Sequence, residues 1–194
     1  MKYLDTPAFP AMPDLPTAAV LDAAPVFNWN MMRKSEHVVQ FYENDSFLIK
    51  SVGAYVAGGL RQGEPVIVIA TQAHRDALDL YLIGAGLNPE QSRRDGEYCC
   101  LDAADVLAKF MVGESPDKRL FDHVVGGLVA RATANGQPLR AFGEMVALLW
   151  AKGNTRGAIE LEELWNELAK VHSFALFCAY PMGECSGEAH GGPF

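Results

Sequence analysis

The chain has no run of apolar residues approaching the roughly 18 that a membrane-spanning helix requires, so no span of that kind is expected. Its N-terminus, Met1-Lys2-Tyr3-Leu4-Asp5, lacks the apolar stretch of a secretory signal, and a cytoplasmic protein is expected. Positive charge is scarce as well: 16 Lys and Arg stand against 24 Asp and Glu, for a net charge of −8. Affinity for nucleic acid comes largely from cations that neutralise phosphates, and no basic stripe or helix-turn-helix pattern offsets the deficit, so direct nucleic-acid binding is not expected. The four cysteines include the adjacent Cys99 and Cys100, and no C-x-x-C pair occurs. They read as thiols rather than as a disulfide framework or a chelate, and neither a metal nor a cofactor is expected. No serine or cysteine is paired with a base at a recognisable spacing, which argues against an enzyme.

What is present is one domain's worth of core, 49% hydrophobic over 194 residues. The stretch from Glu36 to Thr71 reads as a strand, a helix and a second strand. His37 to Tyr42 is β-rich, and Asn44 or Asp45 can cap a helix with the inward stripe Leu48, Val52, Tyr55 or Val56 and Gly59. Gly63 ends that helix, and Val66 to Ala70 is an unbroken apolar run suited to a strand covered on both faces. The unit is expected at the centre of an α/β domain with a mainly parallel sheet of about five strands flanked by helices. A P-loop would need glycines, a lysine and a hydroxyl between this first strand and helix. The chain has Tyr42-Glu43-Asn44-Asp45-Ser46 there, bulky and acidic, so neither tight binding nor hydrolysis of ATP is expected.

Residues 1–35 form a proline-rich arm, with Pro7, Pro10, Pro13, Pro16 and Pro25 spaced too closely for regular structure. Phe27, Trp29, Met31 and Met32 at its end call for a surface to dock on. Residues 36–182 are the domain, and 183–194 a glycine-rich flexible tail. Within the domain, Thr71 is expected to cap a helix to about Leu82, followed by a strand at Glu97 to Leu101 and a short helix headed by Asp102. Ser115-Pro116-Asp117 is expected to start a long helix with proline in its first position, and Gly126-Gly127 in its middle to mark a close helix approach or a hinge. Leu139 to Gly143 and Ser173 to Tyr180 complete the strands, with helices over Glu144 to Trp150 and from about Thr155 between them.

The segments HVVQFYEN, GLRQGEPVIVIAT, RAFGEMVALLWAKGN, ELEELWNELA and FALFCAYP, in order from His37 to Pro181, resemble the MEDS family, the sensory domain of DcmR-type regulators. The resemblance implies a three-layer RecA-like fold without a working P-loop. It also implies sensing of a small apolar, hydrocarbon-derived ligand for transcriptional or two-component signalling. Output is then expected through a partner protein, a histidine kinase or a regulator. The arm and the acidic helix Glu160 to Glu167 are the expected contact surfaces, for that partner or for a second copy in a homodimer.

Ligands of open parallel sheets bind beyond the carboxyl ends of the strands. That rule nominates Tyr42, Glu43, Asn44, Thr71, Asp102, Glu144, Met145 and Tyr180, with Trp150 in reach. Some have a plainer reading: Tyr42 as core, Trp150, like Trp165, as helix-face packing, and Glu144 as a helix cap or the partner of an arginine such as Arg140 or Arg156. His37 and His172 read as structural, and His74 and His123 as surface or helix-face residues. Two other functions stay open, a divergent RecA/KaiC-like nucleotide-binding protein or ATPase, and a scaffold that binds only protein.

Overall fold

The computed structural model describes residues 36–182, so the expectations for the arm and the tail lie outside the described residues. Five strands form one parallel sheet: β1 (His37–Tyr42), β2 (Val66–Ala70), β3 (Tyr98–Asp102), β6 (Leu139–Gly143) and β7 (Phe174–Pro181). Their spatial order is β1-β7-β6-β2-β3. Between β3 and β6 the two short strands β4 (Met111–Val112) and β5 (Ser115–Pro116) pair antiparallel as a hairpin.

Alternation along the strands divides the core in two. Val66, Val68, Ala70, Phe142, Ala175 and Phe177 face α1 (Asp45–Arg61) and α2 (Gln72–Gly84). Ile67, Ile69, Ala141, Leu176 and Cys178 face the other layer, which contains α4 (Ala103–Ala108), α7 (Met145–Ala151) and α8 (Thr155–Val171). The short α3 (Pro89–Arg94) leads into β3. Two layers of helix on a parallel sheet explain why β2, β6 and most of β7 are apolar at nearly every position.

The first helix follows its sequence closely. Asn44 accepts a hydrogen bond from Phe47 N at 2.9 Å, the stripe Leu48, Val52, Tyr55, Val56 and Gly59 is buried, and Gly63 takes φ +69° after the end. Gly59 leaves room for Arg140, since a Cβ there would lie 2.9 Å from Arg140 Cδ. Arg140 is buried, with Nε on Glu64 Oε2 at 2.5 Å and a terminal nitrogen on Tyr55 O at 3.0 Å.

Three expectations need correction. The opening unit does not sit together at the centre: β1 is an edge strand, separated from β2 by β7 and β6. Its burial alternates, with Val39 at 44% and Phe41 at 62% exposure, whereas β2 is covered throughout. Pairing with later strands decides the order, and no local pattern in residues 36–71 carries that information. Second, Ser115-Pro116 does not start a helix. It forms β5 against β4, and Asp117 caps α5 (Lys118–Phe121) by accepting from Leu120 N at 2.9 Å. Third, the long helix is interrupted. A π-helical turn over Asp122–Gly126 separates α5 from α6 (Gly127–Ala132), where two glycines weaken the ordinary helical hydrogen-bond register.

Candidate functional site

The carboxyl edge of the sheet carries two clusters of different character. At the ends of β2 and β6 the organising group is Glu144, only 3% exposed. Its backbone N–H donates to Ile69 O at 2.9 Å, continuing the ladder between the two strands and turning the side chain towards α2. One carboxylate oxygen accepts from Thr71 N at 2.8 Å, and the other pairs with His74 Nδ1. His74 Nε2 lies 3.4 Å from Asp45 Oδ1 at the start of α1. The hydrogen bond to Glu144, helped by Asp45 and opposed by burial, raises the His74 pKa above 6.5. A charged imidazole beside the N-terminus of α2 is disfavoured by the helix dipole, and the two carboxylates offset that.

Neighbouring groups on this side are paired in part, with Arg75 Nε buried and without a hydrogen-bond partner. Arg75 donates to Asp102 Oδ2 at 2.9 Å, and Asp102 caps α4. Its carboxyl is held below the usual range chiefly by the Asp105 backbone N–H, then by that of Ala104 and by the Arg75 guanidinium. The N-terminus of α1 is capped by Asn44, whose side-chain oxygen also accepts from the Ser46 hydroxyl at 2.8 Å.

The second cluster lies at the ends of β1 and β7. Phe41 stacks on Tyr180 with ring centroids 5.6 Å apart, and Trp150 meets Tyr180 edge-on at 6.2 Å. Phe41 is 62% and Trp150 38% exposed, so the three rings make an open aromatic shelf. Below it the Tyr180 hydroxyl donates to Glu162 Oε1 at 2.5 Å. Burial, and then this carboxylate, push the phenol pKa upward. His37 and Cys178 lie beside the same carboxylate.

The family model of the methanogen/methylotroph DcmR sensory domain, MEDS, matches residues 36–190. The chain belongs to the MEDS family. No curated protein matches it. Among solved structures, a KaiC-like protein from the hyperthermophilic archaeon Pyrococcus horikoshii is similar over 77% of this chain at 13% identity, with a TM-score of 0.49. The matched part spans 62% of that protein's length.

Of the residues nominated for this MEDS domain, Thr71 and Glu144 meet at the start of α2, Asn44 caps α1, and Asp102 is joined to the same end of α2 through Arg75. Trp150 and Tyr180 meet in the aromatic shelf. Tyr42 and Met145 are buried on opposite faces of the sheet, and Glu43 is exposed. Trp165 is core, edge-on to Phe121. The partner of Glu144 is His74 rather than an arginine, because Arg140 is held by Glu64 and Arg156 by Glu160. His74 is accordingly a helix-face residue of α2, its side chain 12% exposed.

His74, Asp45, Phe41 and Glu162 were missed. A histidine in the first turn of a helix, against the dipole, was a usable signal for His74. Phe41 could have been found by the alternation His37, Val39, Phe41, which gives β1 one face unlike the other. A further groove of about 380 Å³ lies between the π-helical turn and the end of α8, floored by Gly126, Gly127 and Leu168 and reaching His172. The Gly126-Gly127 pair was its only sequence sign.

Proposed function

We propose that this MEDS domain is a non-catalytic sensory module that takes a small apolar ligand on the shelf of Phe41, Trp150 and Tyr180 and signals through a partner protein. The observation that carries the reading is the shelf itself, three aromatic rings at the carboxyl ends of β1 and β7 with two of them open to solvent. Rings set edge-on and stacked leave apolar faces that a small hydrocarbon or halogenated compound can cover, and burying that area is favourable by about 25 cal/mol per Å². The Tyr180 hydroxyl ties the shelf to Glu162 on α8. Occupancy that shifts the Tyr180 ring therefore moves a hydrogen bond to the helix whose acidic face is the proposed output surface. Part of that face is already engaged within the chain, Glu160 with Arg156 and Glu167 with Lys118. A partner would read the remainder.

The non-catalytic reading rests on His74. Both of its nitrogens face carboxylates, those of Glu144 and Asp45, so neither is open to a substrate. The α1 N-terminus, capped by Asn44, offers no cradle for phosphate, so calorimetry with ATP and Mg²⁺ is expected to give no heat of binding.

Tryptophan fluorescence tests the input. Trp165 is buried and Trp150 exposed, so a panel of small apolar and halogenated compounds should change emission in the parent chain, and the change should vanish in Trp150→Phe. A response retained in Trp150→Phe, or none to any compound, rejects the shelf.

A further inference from the structure

Beneath the shelf, His37 Nε2, a Glu162 carboxylate oxygen and Cys178 Sγ lie within 4.8 Å of one another. Two of these atoms present an electrostatic problem. His37 Nδ1 donates to Asn166 Oδ1 at 3.1 Å, which makes Nε2 of the neutral ring an acceptor. Nε2 faces Glu162 Oε2, another acceptor, at 3.4 Å. Both atoms are closed off from water, and neither has a hydrogen-bond partner. Two buried lone pairs aimed at each other repel unless a proton on Nε2 or a bound metal ion lies between them.

We propose that His37, Glu162 and Cys178 bind one transition-metal ion of the Zn²⁺ class. Imidazole, carboxylate and thiolate together suit Zn²⁺ or Co²⁺, whereas Mg²⁺ and Ca²⁺ prefer oxygen alone. Donors on a tetrahedral ion at the usual bond lengths sit about 3.5 Å apart, and the separation of His37 from Glu162 already has that size. The surrounding groups orient the ligands as outer partners of metal sites do: Asn166 fixes the His37 tautomer, and Tyr180 holds Glu162 Oε1, leaving Oε2 for the ion. Three protein ligands leave a fourth position for water. Cys178 is fully buried, while His37 and Glu162 keep 21% and 19% of their side chains exposed and mark the way in. Binding converts the Cys178 thiol and the divalent ion into a thiolate complex and releases one proton to solvent. The proposal departs from the expectation of no metal, and also from the purely structural reading of His37. The cysteine and histidine that make it are remote in sequence and meet only because β1 pairs with β7.

The test is titration of the full chain, stripped with a chelator, with Co²⁺. One Co²⁺ per chain is expected, with a thiolate-to-cobalt charge-transfer band in the near ultraviolet that Zn²⁺ displaces. Cys178→Ser should abolish the band, and Glu162→Gln and His37→Ala should each weaken binding by about tenfold or more. Cys185→Ser and the Cys99→Ser, Cys100→Ser pair should leave it intact. Because Cys178 lies in the core, His37→Ala at the partly exposed start of β1 carries the test if Cys178→Ser fails to fold. No band in the parent chain overturns the proposal. So does a band that follows Cys185 or Cys99 and Cys100, or unchanged affinity in both His37→Ala and Glu162→Gln. The shelf is read separately, by fluorescence with apolar compounds and no metal, so neither result decides the other.

Discussion

The two halves of the carboxyl edge use polar chemistry in opposite ways. Around β2 and β6 the Glu144 carboxylate has a partner on each oxygen, Thr71 N and His74, and His74 has Asp45 beyond it. Around β1 and β7 two aromatic rings face solvent, and His37 Nε2 and Glu162 Oε2 lack partners. A carboxylate matched on both oxygens resists change, while an open group gains from a newcomer. The side around Glu144 is a lock, and the open groups lie at the β1 edge of the sheet.

The largest effect should come from breaking the lock. Glu144→Ala leaves His74 Nδ1 and the Thr71 N–H without their buried carboxylate partner, and a loss of about 3 kcal/mol is expected in denaturant unfolding. A loss under about 1 kcal/mol would mean that the pair is incidental. The pH dependence sharpens the same point. His74 has a raised pKa in the fold, so its contribution is fully present below about pH 6.5, the unfolded value, and is lost as pH rises through the folded one. Stability should therefore fall from about pH 6.5 upward, and His74→Gln should flatten that slope.

Effects at the open end should be smaller for stability and larger for binding. Tyr180→Phe removes the donor to Glu162 Oε1 and should cost about 1 kcal/mol. Trp150→Phe keeps an aromatic ring on Tyr180 and should change stability by no more than about 0.5 kcal/mol in the same unfolding assay.

The same contrast divides what the sequence made legible. The α/β class, the parallel sheet, the MEDS relationship and the α1 stripe all rest on local periodicity or on ordered motifs, and these survive without knowledge of distant contacts. The edge position of β1 does not, since it depends on pairing with a strand more than 130 residues away, His37 opposite Leu176. Glu144 was found because a carboxylate after a buried strand needs a partner. His74 was missed because its partner is 70 residues distant. Likewise Trp150 and Tyr180 were nominated separately, and only the fold shows that they touch each other and Phe41.

Thermal melting of the full chain with and without a small apolar compound compares both ends at once, using the parent, Trp150→Ala and Glu144→Gln. The account predicts that the parent gains melting temperature with the compound. Trp150→Ala should melt close to the parent but lose that gain, while Glu144→Gln should melt well below the parent and keep it. The reverse pattern, with the gain surviving in Trp150→Ala and disappearing in Glu144→Gln, would contradict the assignment of binding to the open end and stability to the closed one.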